Sequence, residues 1–186
     1  MLPGIYSIFQ HWGDEGAVWV YSDPHFSDEE LSKGIKGRPS AEEQVKLINS
    51  KVGRKDTLIV LGDVGNVEWV KKLRARYKIL IMGNHDAGAS NYRQMEGNRL
   101  FDEVYEGPLV VGEKLILSHE PIEIPFMFNI HGHEHKARER PNHLNVCSDV
   151  IGYVPVNLNQ LLKSGLTSKV VSIHRATINV AVARKK

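Results

Sequence analysis

Asp23-Pro24-His25, Gly62-Asp63, Gly83-Asn84-His85-Asp86, Ser118-His119 and His131-Gly132-His133-Glu134-His135 are five short islands of metal-ligand residues along one chain. Together their Asp, Asn and His side chains suffice for two cations sharing one carboxylate. Two cations about 3.5–4 Å apart, held by O and N donors, suit in-line displacement at phosphorus. The chemistry expected is that of a dinuclear metal-dependent phosphoesterase.

The islands differ in weight. Asp23-Pro24-His25 puts two donors on alternate residues of an extended segment, with Pro24 disfavouring helix before it; taken alone, a turn aspartate beside a partly buried histidine is the better reading. Gly62-Asp63 offers a carboxylate whose two oxygens can bridge cations, or a strand-to-loop turn with Gly62 at positive φ. Gly83-Asn84-His85-Asp86 is more specific. Asn84 is a neutral ligand, His85 can stay free of metal, and Asp86 can accept its ring N–H, giving an oriented general acid for a leaving alcohol. The alternating histidines of the last island would be costly to bury without partners, although an exposed histidine-rich loop is the plain alternative. His119 gains meaning from its place between the stronger clusters.

The elements that must position these residues alternate between strand and helix, which argues for α/β layers. Residues 17–21 (A-V-W-V-Y), 57–61 (T-L-I-V-L) and 78–82 (K-I-L-I-M) read as buried strands. Residues 115–117, 129–130 and 144–146 read as further strands, with 109–111 and a Gly112-Glu113 turn forming a hairpin into the first of them. Ser40 and Glu43 spell a capping box, with Val45, Ile48 and Val52 on one face of the helix that follows. A second helix is expected over 67–77 with Val70, Leu73 and Tyr77 inward, and a third over 157–163 stopped by Gly165. Residues 168–186 fit a helical stripe and a strand alternation, and helix is preferred. Asp23, Asp63, Asn84, His119 and the His131 cluster each follow a strand, and ligands gather beyond the carboxyl ends of strands in open α/β sheets.

At 186 residues the chain is read as one domain, residues 1–186, able to bury a core without staples. The formal net charge of +2 advertises no polyanion partner, and the basic run 184–186 reads as a solvated tail. Cys147 is the sole cysteine, so no disulfide framework exists. Without a signal-peptide pattern or an apolar stretch of roughly 18–20 residues, the expectation is a soluble, cytoplasmic protein with no membrane partner.

With all five motifs in order from Asp23 to His135, the sequence resembles the calcineurin-like metallophosphoesterase superfamily. Within it, the chain is similar to small stand-alone bacterial and phage members through Ser22-Asp23-Pro24-His25-Phe26, Leu117-Ser118-His119-Glu120-Pro121, Asn145-Val146 leading to Asp149, and Val154-Pro155-Val156. The resemblance implies an α-β-β-α sandwich of two sheets flanked by helices. By position it implies that Asp23, His25 and His135 bind one metal, that Asn84, His119 and His133 bind a second, and that Asp63 bridges both. His85 would be the non-ligand acid, oriented by Asp86. Two departures, Val64-Gly65-Asn66 after the bridging carboxylate and a short loop after Phe26, bear on the shape of the substrate pocket.

Such a mixed O and N set suits Mn²⁺ first, with Fe, Zn²⁺ or Ni²⁺ as alternatives, over Mg²⁺ or Ca²⁺. A bridging hydroxide would attack phosphorus and His85 would protonate the departing oxygen. The expected partner is a small phosphorylated diester or monoester, nucleotides included. A nuclease of the same fold is the rival within this chemistry, and the near-neutral charge argues against its basic track. A non-catalytic metal-binding scaffold is the rival from another class. Arg38 is weighed as a phosphate contact against a solvated arginine, and His131 and His143 are placed at the mouth of the site. Trp12, Trp19 and Trp69 are read as packing or isolated surface residues, and His11 and His174 as structural.

Overall fold

Strands β1 (Val18–Tyr21), β2 (Thr57–Val60) and β3 (Tyr77–Ile81) run parallel and side by side, so the loops that leave them emerge at one edge. The computed structural model describes residues 1–86 and 100–170. A fourth parallel strand, β4 (Glu103–Tyr105), borders β3, and the short antiparallel β9 (Val156–Asn157) borders β1. The order of this five-stranded sheet is β4-β3-β2-β1-β9. A second sheet has the order β5-β6-β7-β8, from β5 (Leu109–Gly112), β6 (Leu115–Leu117), β7 (Phe128–His131) and β8 (His143–Asn145). Here β5 and β6 form the expected antiparallel hairpin, while β6, β7 and β8 are parallel.

Period-two alternation divides the side chains of the first sheet between two cores. Val18, Val20, Ile59, Ile79 and Ile81 join Leu115, Leu117 and Ile130 of the second sheet in the layer between the sheets. Tyr21, Leu58, Val60 and Leu80 point the other way, onto Val45 and Ile48 of helix α2 (Ala41–Lys51). The expected capping box opens α2: Ser40 accepts from the Glu43 N–H and the Glu43 side chain accepts from the Ser40 N–H. Leu158 and Leu162 anchor α3 (Leu158–Lys163) in the inter-sheet core, and Gly165 follows it at φ 77°. The architecture is therefore the expected mixed α/β arrangement of two sheets flanked by helices.

Four elements differ from expectation. The helix foreseen over 67–77 is a 3₁₀ turn, Val67–Lys72, because Leu73 is already extended and Tyr77 must pair with Thr57 at the start of β3. Val70 and Leu73 are still buried as expected. A short helix α1 (Glu29–Gly34) follows Phe26, with Asp28 accepting from the Leu31 N–H at its start. Strands β4 and β9 hold too few apolar residues to show a pattern. In the last segment, Leu166–Lys169 form a 3₁₀ turn; residues 171–186, including His174 and the basic run, lie outside the described residues.

Candidate metal centre

The loops leaving β1, β2, β3, β6 and β7 meet, and they bring the predicted donors within contact of one another. Asp23, His25, Asp63 and His119 are buried. Asp23, His25, Asp63 and His133 have φ values of 55°, 39°, 54° and 66°. That left-handed backbone is unfavourable for residues with a Cβ and clusters at functional sites. Gly62, at φ 85°, lets the β2 loop pass so closely that a Cβ there would lie 2.7 Å from His119 Nδ1. A Cβ on Gly132 would lie 1.9 Å from Ser22 Oγ and 2.3 Å from Asp23 Oδ2.

Two donor groups emerge. On one side, His119 Nε2 stands 2.9 Å from Asn84 Oδ1, 3.0 Å from His133 Nδ1 and 3.4 Å from Asp63 Oδ2. Donors held about 2.1 Å from one cation lie about 3.0–3.4 Å from each other, so this spacing suits one ion. The His119 Nδ1–H donates to the Leu61 carbonyl at 2.8 Å, which leaves Nε2 as the free lone pair. On the other side, Asp23, His25 and Asp63 form a second group able to hold an ion. Asp23 Oδ1 and His25 Nε2 are buried there without a hydrogen-bond partner. His25 Nε2 is 3.4 Å from Asp63 Oδ2, and His135 Nε2 is 3.9 Å from Asp23 Oδ1. Buried polar atoms left unpaired cost free energy, and a cation between these donors would satisfy both. The residues present fit the binding of divalent metal ions.

Asp63 is the shared member. Its Oδ2 lies 3.4 Å from both His25 Nε2 and His119 Nε2, whereas Oδ1 accepts the His85 N–H at 3.0 Å. Oδ2 is thus the Asp63 oxygen that faces both groups. Burial raises the Asp63 pKa, but contacts with His25 and His119 and the His85 N–H outweigh it and hold it below the usual aspartate value.

Asp86 is bound by the backbone of two loops. Oδ2 accepts the N–H groups of Asp63 and Gly83, and Oδ1 accepts that of Val64. Fully buried, it ties the β2 and β3 loops together. His85 itself is open to solvent, its side chain 66% exposed and Nε2 4.0 Å from Asp63 Oδ2.

A supporting network was not legible in the motifs. His135 Nδ1 is 2.6 Å from Asp149 Oδ2, and Asp149 also accepts from Arg38 and Tyr153. Burial raises the Asp149 pKa, yet these three partners bring it down to about 2. The same contact, against the cost of burial, raises that of His135. Arg38 also donates to the carbonyls of Asp23 and Pro24. It is therefore a buried strut and not the phosphate contact weighed from sequence. Cys147 joins Asp23 and His135 in a third group of potential ligands. Burial, then Asp23, pushes its thiol pKa up. The signal that could have found Cys147 and Asp149 is their position just past β8, where the other donors follow their own strands. His131 is buried in β7, its Nδ1 2.9 Å from the Gly132 carbonyl, and its ring meets that of His143 edge-on. It does not line a mouth.

Comparisons with known proteins bear on the family and the fold. The sequence profile of calcineurin-like phosphoesterases matches residues 16–162. An uncharacterized protein of Methanocaldococcus jannaschii is 29% identical over 180 residues, spanning 83% of this chain and 94% of the relative. The crystal structure of a protein of unknown function from Aquifex aeolicus shares the fold, with a TM-score of 0.63 at 24% identity over 79% of this chain and 98% of that one. A Pseudomonas putida nuclease gives a TM-score of 0.46 at 24% identity, over 63% and 61% of the two chains.

Proposed function

The chain belongs to the calcineurin-like phosphoesterase family, and from that premise we propose that it hydrolyses a small phosphodiester or phosphomonoester at a centre for two divalent cations. The observation that carries this reading is the pair of buried, unpartnered atoms, Asp23 Oδ1 and His25 Nε2, in a group completed by Asp63. Asp23, His25, His135 and Asp63 would hold one ion, and Asp63, Asn84, His119 and His133 the other. When bound, such a pair supplies an activated water and offsets charge on the phosphate oxygens.

The chain's own residues then have distinct tasks. Asp63 would contribute to both ion positions, and the Leu61 carbonyl and Asp149 fix which nitrogen His119 and His135 present. His85, exposed beside Asp63, would give its proton to the departing oxygen. The mixed N and O donors favour Mn²⁺, Fe, Zn²⁺ or Ni²⁺ over Mg²⁺ and Ca²⁺.

Two clefts flank the donors, one of about 640 Å³ bordered by His25 and one of about 400 Å³ bordered by Asn84 and His119. In the first, Arg38 is bound by Asp149, and Lys33 pairs with Glu29. Among the described residues, the second has no lysine or arginine in its lining. This supports a small substrate over a nucleic-acid strand, which would call for a basic track.

The test is hydrolysis of bis-p-nitrophenyl phosphate and p-nitrophenyl phosphate after loading with Mn²⁺. Turnover of one or both is expected. Metal-loaded protein inert toward each would leave a binding scaffold as the better reading.

A further inference from the structure

We propose that Cys147, with His135 and Asp23, forms a thiolate-bearing position for a thiophilic divalent cation, so that the two halves of the centre prefer different metals. This deepens the reading of the metal centre and rests on it. Ligand atoms of the three residues all lie within 4.8 Å of one another. Cys147 Sγ stands 3.6 Å from His135 Nδ1, and His135 Nε2 stands 3.9 Å from Asp23 Oδ1. Cys147 and Asp23 are fully buried, and Asp23 Oδ1 has no hydrogen-bond partner. A buried carboxylate oxygen left unpaired beside a thiol and an imidazole is satisfied by a cation.

The backbone sets the thiol in place before any ion arrives. Cys147 pairs with Ser22 in a parallel bridge, which lays the segment after β8 alongside the one that carries Asp23. The Cys147 N–H donates to Asn145 Oδ1 at 2.8 Å. Ser148 then donates twice across the same boundary, its N–H to the Ser22 carbonyl at 2.9 Å and its Oγ–H to the Asp23 carbonyl at 2.7 Å. Donors held this way by surrounding hydrogen bonds are preorganised for a ligand. Cys147 is also the sole cysteine of the chain, so no disulfide accounts for its position.

Donor chemistry narrows the choice of metal. Sulfur, imidazole nitrogen and carboxylate oxygen are the ligand types of Zn²⁺, whereas Mn²⁺ suits carboxylate, carbonyl and water. The opposite group of Asp63, His119 and His133 contains no sulfur donor. Zn²⁺ is therefore favoured on the Asp23 side alone. On binding, the Cys147 S–H bond breaks, a sulfur–metal bond forms and one proton passes to solvent. Because Asp23 and His135 are shared with the ion assigned to Asp23, His25, His135 and Asp63, a thiophilic ion at Cys147 replaces that ion and is not a third one.

X-ray absorption at the zinc edge, on protein loaded with one equivalent of Zn²⁺, tests the assignment. The spectrum should contain one sulfur at about 2.3 Å beside nitrogen and oxygen donors. Co²⁺-loaded protein should show thiolate-to-metal charge-transfer absorption in the near ultraviolet, and Cys147→Ser should lose it. In competition titrations Cys147→Ser should weaken Zn²⁺ binding by about tenfold or more, at least what the loss of a residue behind a ligand costs, and by more than it weakens Mn²⁺ binding. A zinc edge without sulfur, Co²⁺ bound without the charge-transfer band, or equal loss of Zn²⁺ and Mn²⁺ affinity in the variant overturns the proposal. The wild-type spectra decide the matter even where the variant fails to fold, since a thiolate can come from no other residue of this chain. None of these measurements needs turnover, so a dead hydrolysis assay would count against the phosphoesterase reading separately from the thiolate.

Discussion

Asp149 Oδ2 stands 2.6 Å from His135 Nδ1, while the opposite nitrogen of the same ring faces Asp23 Oδ1 at 3.9 Å. A carboxylate behind a ligating histidine fixes its tautomer and ring orientation, and losing it typically costs about 10–100-fold in metal affinity. Asp149→Asn should therefore weaken one ion of the two by that factor and leave the Asn84–His119–His133 ion in place. Titration with Mn²⁺, resolving two binding steps, reads this directly. Equal weakening of both steps would show that Asp149 acts on the fold and not on one ligand.

Asp63 serves both groups through Oδ2. Asp63→Ala should reduce bound Mn²⁺ at both positions and abolish hydrolysis. Metal analysis of the dialysed variant beside its activity separates the outcomes, and normal turnover by a metal-replete Asp63→Ala protein would refute the shared role.

Among the described residues, His85 belongs to none of the three groups of clustered potential ligands, and it is largely exposed. His85→Ala should keep the metal content of wild type and lower kcat by about 10²–10⁴-fold, the usual contribution of a general acid. A parallel loss of metal would reassign it as a ligand.

Gly132 lets the loop after β7 pass Ser22 and Asp23 at distances no Cβ could share. Gly132→Ala should cost about 1–3 kcal/mol of stability, the scale for overpacking, and should displace Asp23 enough to weaken Mn²⁺ binding. Urea denaturation and metal titration of the same protein check the two effects together.

Away from the centre, Glu103 accepts hydrogen bonds from Tyr77 at 2.8 Å, from Tyr105 at 2.6 Å and from the Trp12 indole, and it pairs with His11. Burial raises its pKa, but these partners outweigh burial and hold it below the usual glutamate value. A carboxylate with a depressed folded-state pKa stabilises the fold above its unfolded pKa, about 4.3, and that contribution disappears as pH falls through the folded value. The stability gap between wild type and Glu103→Gln should accordingly be largest near neutrality and shrink below about pH 4. Denaturation midpoints measured across that range will show it, and a gap independent of pH would mean that packing, not ionisation, sets the contribution.

The sequence by itself determined which residues carry the chemistry and roughly where the chain turns. Each donor island follows a short β-branched run, and strand ends are where a parallel sheet gathers its loops. The Ser40 capping box was legible for the same reason, since hydrogen bonds between residues three apart are written in local spacing. The 67–77 segment was misread as one helix because its apolar spacing fits a helix, while register with Thr57 claims Tyr77 for β3. Tertiary structure alone decided that Asp86 ties two loops, that Arg38 is a buried strut, that Asp149 backs His135 and that Cys147 stands beside Asp23 and His135. Those roles depend on contacts between residues far apart in the chain, such as Arg38 with Asp149, and local spacing holds no record of which distant partner a folded side chain will meet.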